Sequence, residues 1–323
     1  MCTAVTFQTN DHYFGRNLDL EYAYDERVTI TPRNFPFQFR HQNSLDSHYA
    51  IIGMATVDNG YPLYYDATNE HGLSIAGLNF PGNAVYYPID HNKNNIAPFE
   101  LIPWLLGQCR NLKEARQQLE NINICDTSYS QQFPLTPLHW VIADKTGSVT
   151  LETLKDGMRI YENPTGVLTN NPPFEYHMHN LTNYLNVTRE EPTNRMTDKL
   201  SLSPYSRGMG AMGLPGDLSS PSRFVRAVFT KFNSVCKADE LSSVTQFFHI
   251  LGSVEQQEGC VKVNNAFEKT VYSSCCNADK GIYYYTTYEN SQITAIDLHN
   301  EQLDSSILKE YPLKRSQQIL FEN

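Results

Sequence analysis

Apolar and polar residues alternate through most of the first eighty positions, the period of a strand with one buried face. Residues 3–7 and 13–18 read as short strands about the polar turn Asn10-Asp11. Residues 28–31 are all β-branched and stop at Pro32. Residues 50–56, 63–67 and 73–78 continue the series, punctuated by Gly60-Tyr61-Pro62 and His71-Gly72. The period then changes. Asn111 can cap a helix whose third position is Glu114, with Leu112, Ala115, Leu119 and Ile122 as its apolar stripe. A second helix is predicted over 98–107, with Pro103 near its start or at a kink. Strand patterns return at 138–143, 149–154 and 158–161, and 174–184 reads as helix. Residues 186–222 are rich in Pro, Gly, Ser and Asn and form a long excursion, a kind of segment that often carries function. Phe224, Val228 and Phe232 mark a helix, 244–251 another, and 270–274, 281–286 and 292–296 are late strands. No repeat or linker interrupts the chain, so the pattern predicts one domain over 1–323, or 2–323 if Met1 is removed. Strands at both ends with helices between predict an α+β fold of stacked sheets flanked by helices.

Composition narrows the function. Of 323 residues, 40% are hydrophobic and 19% charged, which is globular chemistry and not disorder. Lys and Arg number 25 against 35 Asp and Glu, a net charge of −10 that argues against nucleic acid or an anionic membrane surface as partner. An anionic substrate would have to be held by local cations. No basic segment followed by an apolar one opens the chain and no 18-residue apolar run occurs, so neither a secretory signal nor a membrane span is expected. The seven cysteines are odd in number and irregularly spaced, without a CxxC pair. Reduced thiols in a cytoplasm fit this pattern, and burial without reactivity is the expectation for Cys109, Cys125, Cys236, Cys260, Cys275 and Cys276.

Cys2 is the exception. Removal of Met1 leaves a residue with a thiol and a free α-amine, both of which ordinarily titrate near pH 8. One residue then supplies nucleophile and general base. The strand that closes at Phe14-Gly15-Arg16-Asn17-Leu18-Asp19 can pair with the first and bring Arg16 and Asp19 to the chain start. A guanidinium there favours thiolate, and a carboxylate can orient the amine.

Taken together, Met1-Cys2-Thr3-Ala4, Phe14-Gly15-Arg16-Asn17, Thr31-Pro32-Arg33-Asn34-Phe35 and Gly77-Leu78-Asn79-Phe80-Pro81-Gly82 form an ordered set. The set continues through Gly166-Val167-Leu168-Thr169-Asn170-Asn171-Pro172, Gly213-Leu214-Pro215-Gly216-Asp217, Ser222-Arg223-Phe224 and Lys280-Gly281-Ile282-Tyr283-Tyr284-Tyr285. In this the chain resembles the choloylglycine hydrolase family of bile salt hydrolases and penicillin V acylases, and most of all the bile salt hydrolases of intestinal lactic-acid bacteria. The resemblance implies the N-terminal-nucleophile hydrolase αββα sandwich, two antiparallel sheets between helical layers, assembled as a homotetramer. It implies hydrolysis of the amide of glycine- and taurine-conjugated bile acids, with no metal and no cofactor. The isolated His177-Met178-His179 makes no metal site either. Residue by residue, Cys2 matches the nucleophile, Arg16 and Asp19 the pair that tunes and orients it, and Asn79 an oxyanion-hole side chain. Asn170 matches a second polar residue at the nucleophile, and Arg223 the last residue of the set.

The same set serves penicillin V acylases, and Asn79, where those acylases often carry Tyr, leans toward bile salts. Apolar walls for a steroid are expected from Leu20, Tyr24, Ile52, Ala67, Phe80, Phe133 and Leu135. In the long excursion, Arg207 within Tyr205-Ser206-Arg207-Gly208 is expected to meet the anionic end of the leaving amino acid and to favour glycine over taurine. A catalytically silent steroid-binding protein of the same fold is the alternative outside enzymes. An acylase related to ceramide hydrolases fits less well, because it would need a signal peptide and an internal Cys freed by self-cleavage.

Overall fold

The computed structural model describes residues 1–323. Its strands are β1 (Cys2–Gln8), β2 (His12–Leu20), β3 (Arg27–Thr31), β4 (Ile51–Asp58), β5 (Tyr61–Asn69), β6 (Ser74–Asn79), β7 (Asn94–Ile96) and β8 (Ile122–Ile124). They continue with β9 (Leu138–Asp144), β10 (Gly147–Leu154), β11 (Gly157–Glu162), β12 (Val167–Leu168) and β13 (Val261–Val263). The last are β14 (Ala266–Asn277), β15 (Ile282–Thr287), β16 (Asn290–Asp297) and β17 (Lys309–Pro312). The helices are α1 (Leu101–Gln108), α2 (Leu112–Leu119), α3 (Phe174–Leu181), α4 (Ser220–Asn233) and α5 (Glu240–Gly252).

Two antiparallel sheets dominate. The first runs β12-β1-β2-β14-β15-β16, with β13 on β14. The second runs β11-β10-β9-β6-β5-β4-β3-β17. Apolar residues of both sheets, among them Ala4, Leu18, Ile52, Met54, Leu78 and Val141, share one core with Phe174, Phe224 and Phe247 of α3, α4 and α5. A separate core lies where Leu101, Leu105, Leu112 and Leu119 of α1 and α2 pack on Ile51, Ala67, Ile75, Trp140 and Ile142. The order is helix, sheet, sheet, helix. Because both faces of the inner strands are covered, β2 is buried from His12 to Asp19 despite its polar residues. No helix is long and apolar enough to cross a membrane.

The expected elements all occur, with differences at their edges. The stretch predicted as helix 98–107 is a 3-10 turn at Pro98–Glu100 followed by α1, and Pro103 sits in the first turn of α1, where its missing N–H costs nothing. Asn111 caps α2 as expected, its side chain accepting from the Glu114 amide. Ile122, expected on that helix, instead opens β8. β7, β8, β12, β13 and β17 carry no sequence signal, because two to four residues are too few to show a period.

Candidate active site

Cys2 opens β1 and pairs with Leu18 of β2, with Thr3 opposite Asn17 and Ala4 opposite Arg16. Paired residues share a face, so Cys2, Leu18 and Arg16 point between the sheets. Asp19 points to the other face with Thr3, toward the helices. Strand alternation thus divides the neighbours of Cys2: Arg16 lies on its thiol side and Asp19 behind its backbone.

On the helix side the network is dense. The Cys2 backbone nitrogen donates to Asn170 Oδ1 at 2.7 Å. The same oxygen accepts from Arg223 Nη2 at 2.8 Å. Arg223 Nη1 donates to the Cys2 carbonyl and to Thr3 Oγ1, each at 2.6 Å, and lies 3.8 Å from Asp19 Oδ2. Asp19 Oδ1 accepts from Thr270 Oγ1 at 2.6 Å, whereas Oδ2 has no hydrogen-bond partner. Asn170 Nδ2 reaches the Asn79 carbonyl at 2.6 Å, which ties the two asparagines together. Arg223 and Asp19 are fully buried. Burial holds the Arg223 guanidinium below its ordinary pKa, opposed by the charges of Asp19, Cys2 and Glu268. The Met1 amino group donates to the Asp19 carbonyl and pairs with Glu268.

On the thiol side Arg16 is also fully buried. Its Nη1 donates to the carbonyls of Tyr65 at 3.0 Å and Gly77 at 2.5 Å, and its Nη2 is unpartnered. Burial opposes its charge, but the negative charges of Cys2, Tyr272, Asp66 and Asp19 outweigh burial and raise its pKa. Asp66 stands behind it and accepts from Tyr272 at 2.6 Å, Tyr283 at 2.7 Å and Ser274 at 3.2 Å. Even so, burial lifts the Asp66 carboxyl above its ordinary pKa. Sequence reasoning missed Asp66, Tyr272 and Thr270. A polar residue inside a strand pattern reads as solvent-facing; the pairing of β14 with β2 brings Thr270 and Tyr272 inward, and the packing of the two sheets brings Asp66 on β5 to meet Tyr272.

A cavity of about 450 Å³ opens on this face, lined by Cys2, Arg16 and Asn79 together with Leu18, Tyr65, Phe99, Tyr129 and Leu138. Its size suits one small ligand. Of the expected wall residues, Leu20, Tyr24, Phe133 and Leu135 line it. Ile52, Ala67 and Phe80 do not. Ile52 is buried between the sheets and Ala67 under α1, because neighbouring strand residues alternate between those two cores. Phe80 is fully buried and stacks on the His139 ring at 4.1 Å. Arg207 sits on the exposed excursion and is not among the residues that line this cavity.

The model of the linear amide C–N hydrolases, choloylglycine hydrolase family, matches residues 2–311. The chain belongs to the choloylglycine hydrolase family. A bile salt hydrolase/transferase of Lactiplantibacillus plantarum is 55% identical over all of both chains. One of Clostridium perfringens is 38% identical over 99% of each. A crystal structure of a variant conjugated bile acid hydrolase from Clostridium perfringens superposes with a TM-score of 0.92 at 36% identity over all of both chains. Penicillin V acylase from Agrobacterium tumefaciens shares the fold, with a TM-score of 0.73 at 16% identity over 96% of this chain and 90% of that one. The αββα sandwich of this hydrolase is therefore the N-terminal-nucleophile arrangement that its sequence resemblance implied.

Proposed function

We propose that this hydrolase cleaves the amide of glycine- and taurine-conjugated bile acids, with Cys2 as nucleophile once Met1 is removed. The observation that carries the reading is the convergence of Cys2, Arg16 and Asn79 on one largely apolar cavity, with the Cys2 nitrogen held from behind by Asn170. The relatives named as bile salt hydrolases support the substrate class.

Removal of Met1 converts the Cys2 nitrogen into the α-amine, 2.7 Å from Asn170 Oδ1, with the unpartnered Asp19 Oδ2 as the acceptor for a further hydrogen bond from it. The Cys2 thiolate, beside the Arg16 guanidinium in the cavity wall, attacks the amide carbon and forms a C–S bond. Asn79 donates to the oxygen that becomes anionic. The α-ammonium gives its proton to the departing nitrogen, the C–N bond breaks, and glycine or taurine leaves. The amine then takes a proton from water, which attacks the thioester, breaks the C–S bond and releases the free bile acid. Arg223 holds the Cys2 carbonyl and Asn170 while these charges form and vanish.

The experiment is amino-acid release from glycocholate, taurocholate and penicillin V in parallel, with a Cys2→Ser control and an N-terminal mass measurement. Release from both bile salts, lost in the control and accompanied by loss of Met1, is expected. Release from penicillin V alone would transfer the mechanism to that substrate. Silence on all three with Met1 gone would favour a steroid-binding protein. We take the chain as one domain acting in the cytoplasm, a reading supported by its seven unpaired thiols. We also take it as a homotetramer, a mass that light scattering would measure.

A further inference from the structure

Two buried histidines outside the catalytic set meet the backbone that carries Asn170. His139, on β9, directs Nε2 at the Thr169 carbonyl at 2.9 Å. His177, on α3, directs Nε2 at the Asn170 carbonyl at 2.8 Å. A carbonyl only accepts, so both nitrogens carry protons and donate. The Asn170 amide donates in turn to Ser220 Oγ at 2.8 Å. Both peptide planes flanking the Asn170 Cα are therefore held by side chains from three elements. With both planes held, φ, ψ and the direction of the Cβ at residue 170 are set. We propose that His139 and His177 are positioning residues, which clamp the consecutive carbonyls of Thr169 and Asn170 and so aim the Asn170 carboxamide at the Cys2 nitrogen.

Each histidine is built into place. His177 stacks on Phe224, centroids 4.8 Å apart, and its Nδ1 has no partner, the arrangement of a neutral ring. Burial holds its pKa down, to about 4. His139 has oxygens at both ring nitrogens, since Nδ1 lies 2.9 Å from Glu152 Oε1. That Glu152 oxygen also accepts from the Phe174 amide at 3.0 Å, so the pair anchors the start of α3, which carries His177. The Phe80 ring lies flat on His139, 5° from parallel, and Phe80 directly follows Asn79. His139 thus supports the Asn79 turn and the Asn170 segment together. Histidine suits this work better than Gln because its ring is rigid and stacks while it donates.

The inference rests on the reading of Asn170 as part of the catalytic set, and its test separates the two. Steady-state bile salt hydrolysis and thermal melting are measured for wild type, Asn170→Ala, His177→Phe, His177→Gln and the double variant His177→Phe/Asn170→Ala. His177→Phe keeps the stack on Phe224 and removes the donor. Its kcat should fall about ten- to hundred-fold with KM little changed, as expected for a displaced group in the site. His177→Gln restores a donor and should recover most of the loss. On the Asn170→Ala background, His177→Phe should cost nothing further. If His177→Phe melts below the assay temperature, His139→Phe/Glu152→Gln is run through the same cycle, with the same loss expected at the Thr169 carbonyl. Unchanged kcat in the histidine variants beside a damaged Asn170→Ala overturns the clamp alone, as does a loss that adds fully to that of Asn170→Ala. An Asn170→Ala enzyme as active as wild type overturns the role of Asn170, and the clamp with it.

Discussion

At the scale of residues, Asn170 is the hub of the site. Its oxygen accepts from Cys2 and Arg223, and its nitrogen donates to the Asn79 carbonyl. Asn170→Asp keeps the acceptors and loses the donor, so it separates the two functions. We expect it to lower kcat about a hundred-fold, the scale of one lost oxyanion-hole contact, by releasing the Asn79 segment. Substrate affinity should hold, as a KM measured beside kcat would show. Histidine burial also sets an acid limit on stability. Burial brings both His12 and His177 down to about 4, with charged neighbours Asp279, Asp144 and Lys231 adding to the balance at His12. The unfolded chain takes up these protons below about pH 6.5 and the folded chain does not until about pH 4, so folded stability falls as pH drops through that window. Between pH 7 and pH 5 each histidine should cost about 2 kcal/mol. Urea unfolding at the two pH values, compared between wild type and His12→Gln, checks this. The variant should lose less stability on acidification by about that amount.

At the scale of elements, β2 is the strand that the site is built on. It carries polar residues on both faces of the alternation, His12 and Arg16 on one and Asn17 and Asp19 on the other, yet all four are buried. Each meets partners on a neighbouring strand or helix that sequence cannot place, although His12 Nε2, Arg16 Nη2 and Asp19 Oδ2 are left without one. Asn17, for example, donates to the Leu251 carbonyl of α5 at 3.0 Å and accepts from Ser273 of β14 at 2.7 Å. Gly15 lets β2 and β14 come this close. A Cβ on Gly15 would lie 1.9 Å from the Ser274 carbonyl oxygen. Relief would need β2 to shift, and Arg16 with it. Gly15→Ala should therefore cost on the order of 3 kcal/mol in stability and remove activity in whatever folds. Denaturant unfolding of the variant is the check, and a midpoint equal to wild type would show that the strands part without cost. The short strands were illegible for a simpler reason. β12 has two residues, but its pairing with β1 delivers Thr169 and Asn170 to the chain start.

At the scale of the whole molecule, charge and cavity shape decide how substrate is met. The chain carries −10 overall, and Glu21 is among the cavity-lining residues. An anionic conjugate approaches against this field. Glu21→Gln should lower KM for both glycine and taurine conjugates about two-fold at low ionic strength, an advantage that salt erases because exposed charges are screened. Initial-rate measurements across a salt series would show it. Phe133 and Leu135 come from the segment ahead of β9, while Leu20 and Tyr24 come from the end of β2 and beyond. Phe133→Ala with Leu135→Ala should raise KM for bile salts roughly ten-fold through lost apolar contact, with kcat nearly unchanged. Arg207 lies away from this wall. Arg207→Ala should leave the ratio of glycine to taurine hydrolysis as it was, and a shift in that ratio would bring the excursion back into the site.

Local pattern by itself determined the strand series, the capped helix at Asn111, the cysteine proposed as nucleophile and, through the ordered motifs, the family. These are legible because a strand or helix face repeats within a few residues and a motif is contiguous. What tertiary structure decided is which polar residues turn inward and what they meet. Arg16 and Asp19 stand three apart on one strand, and alternation sends one to the thiol and the other behind the backbone. Asp66, Thr270, His139 and His177 reach the site through pairings and packings that span up to 251 residues of chain, as between Asp19 and Thr270. Ile52 and Ala67 look like cavity walls in sequence, but sheet packing buries them in two different cores. The physical reason is the same throughout: hydrophobic period selects an element, whereas a buried charge or donor is tolerated only where another element supplies its partner.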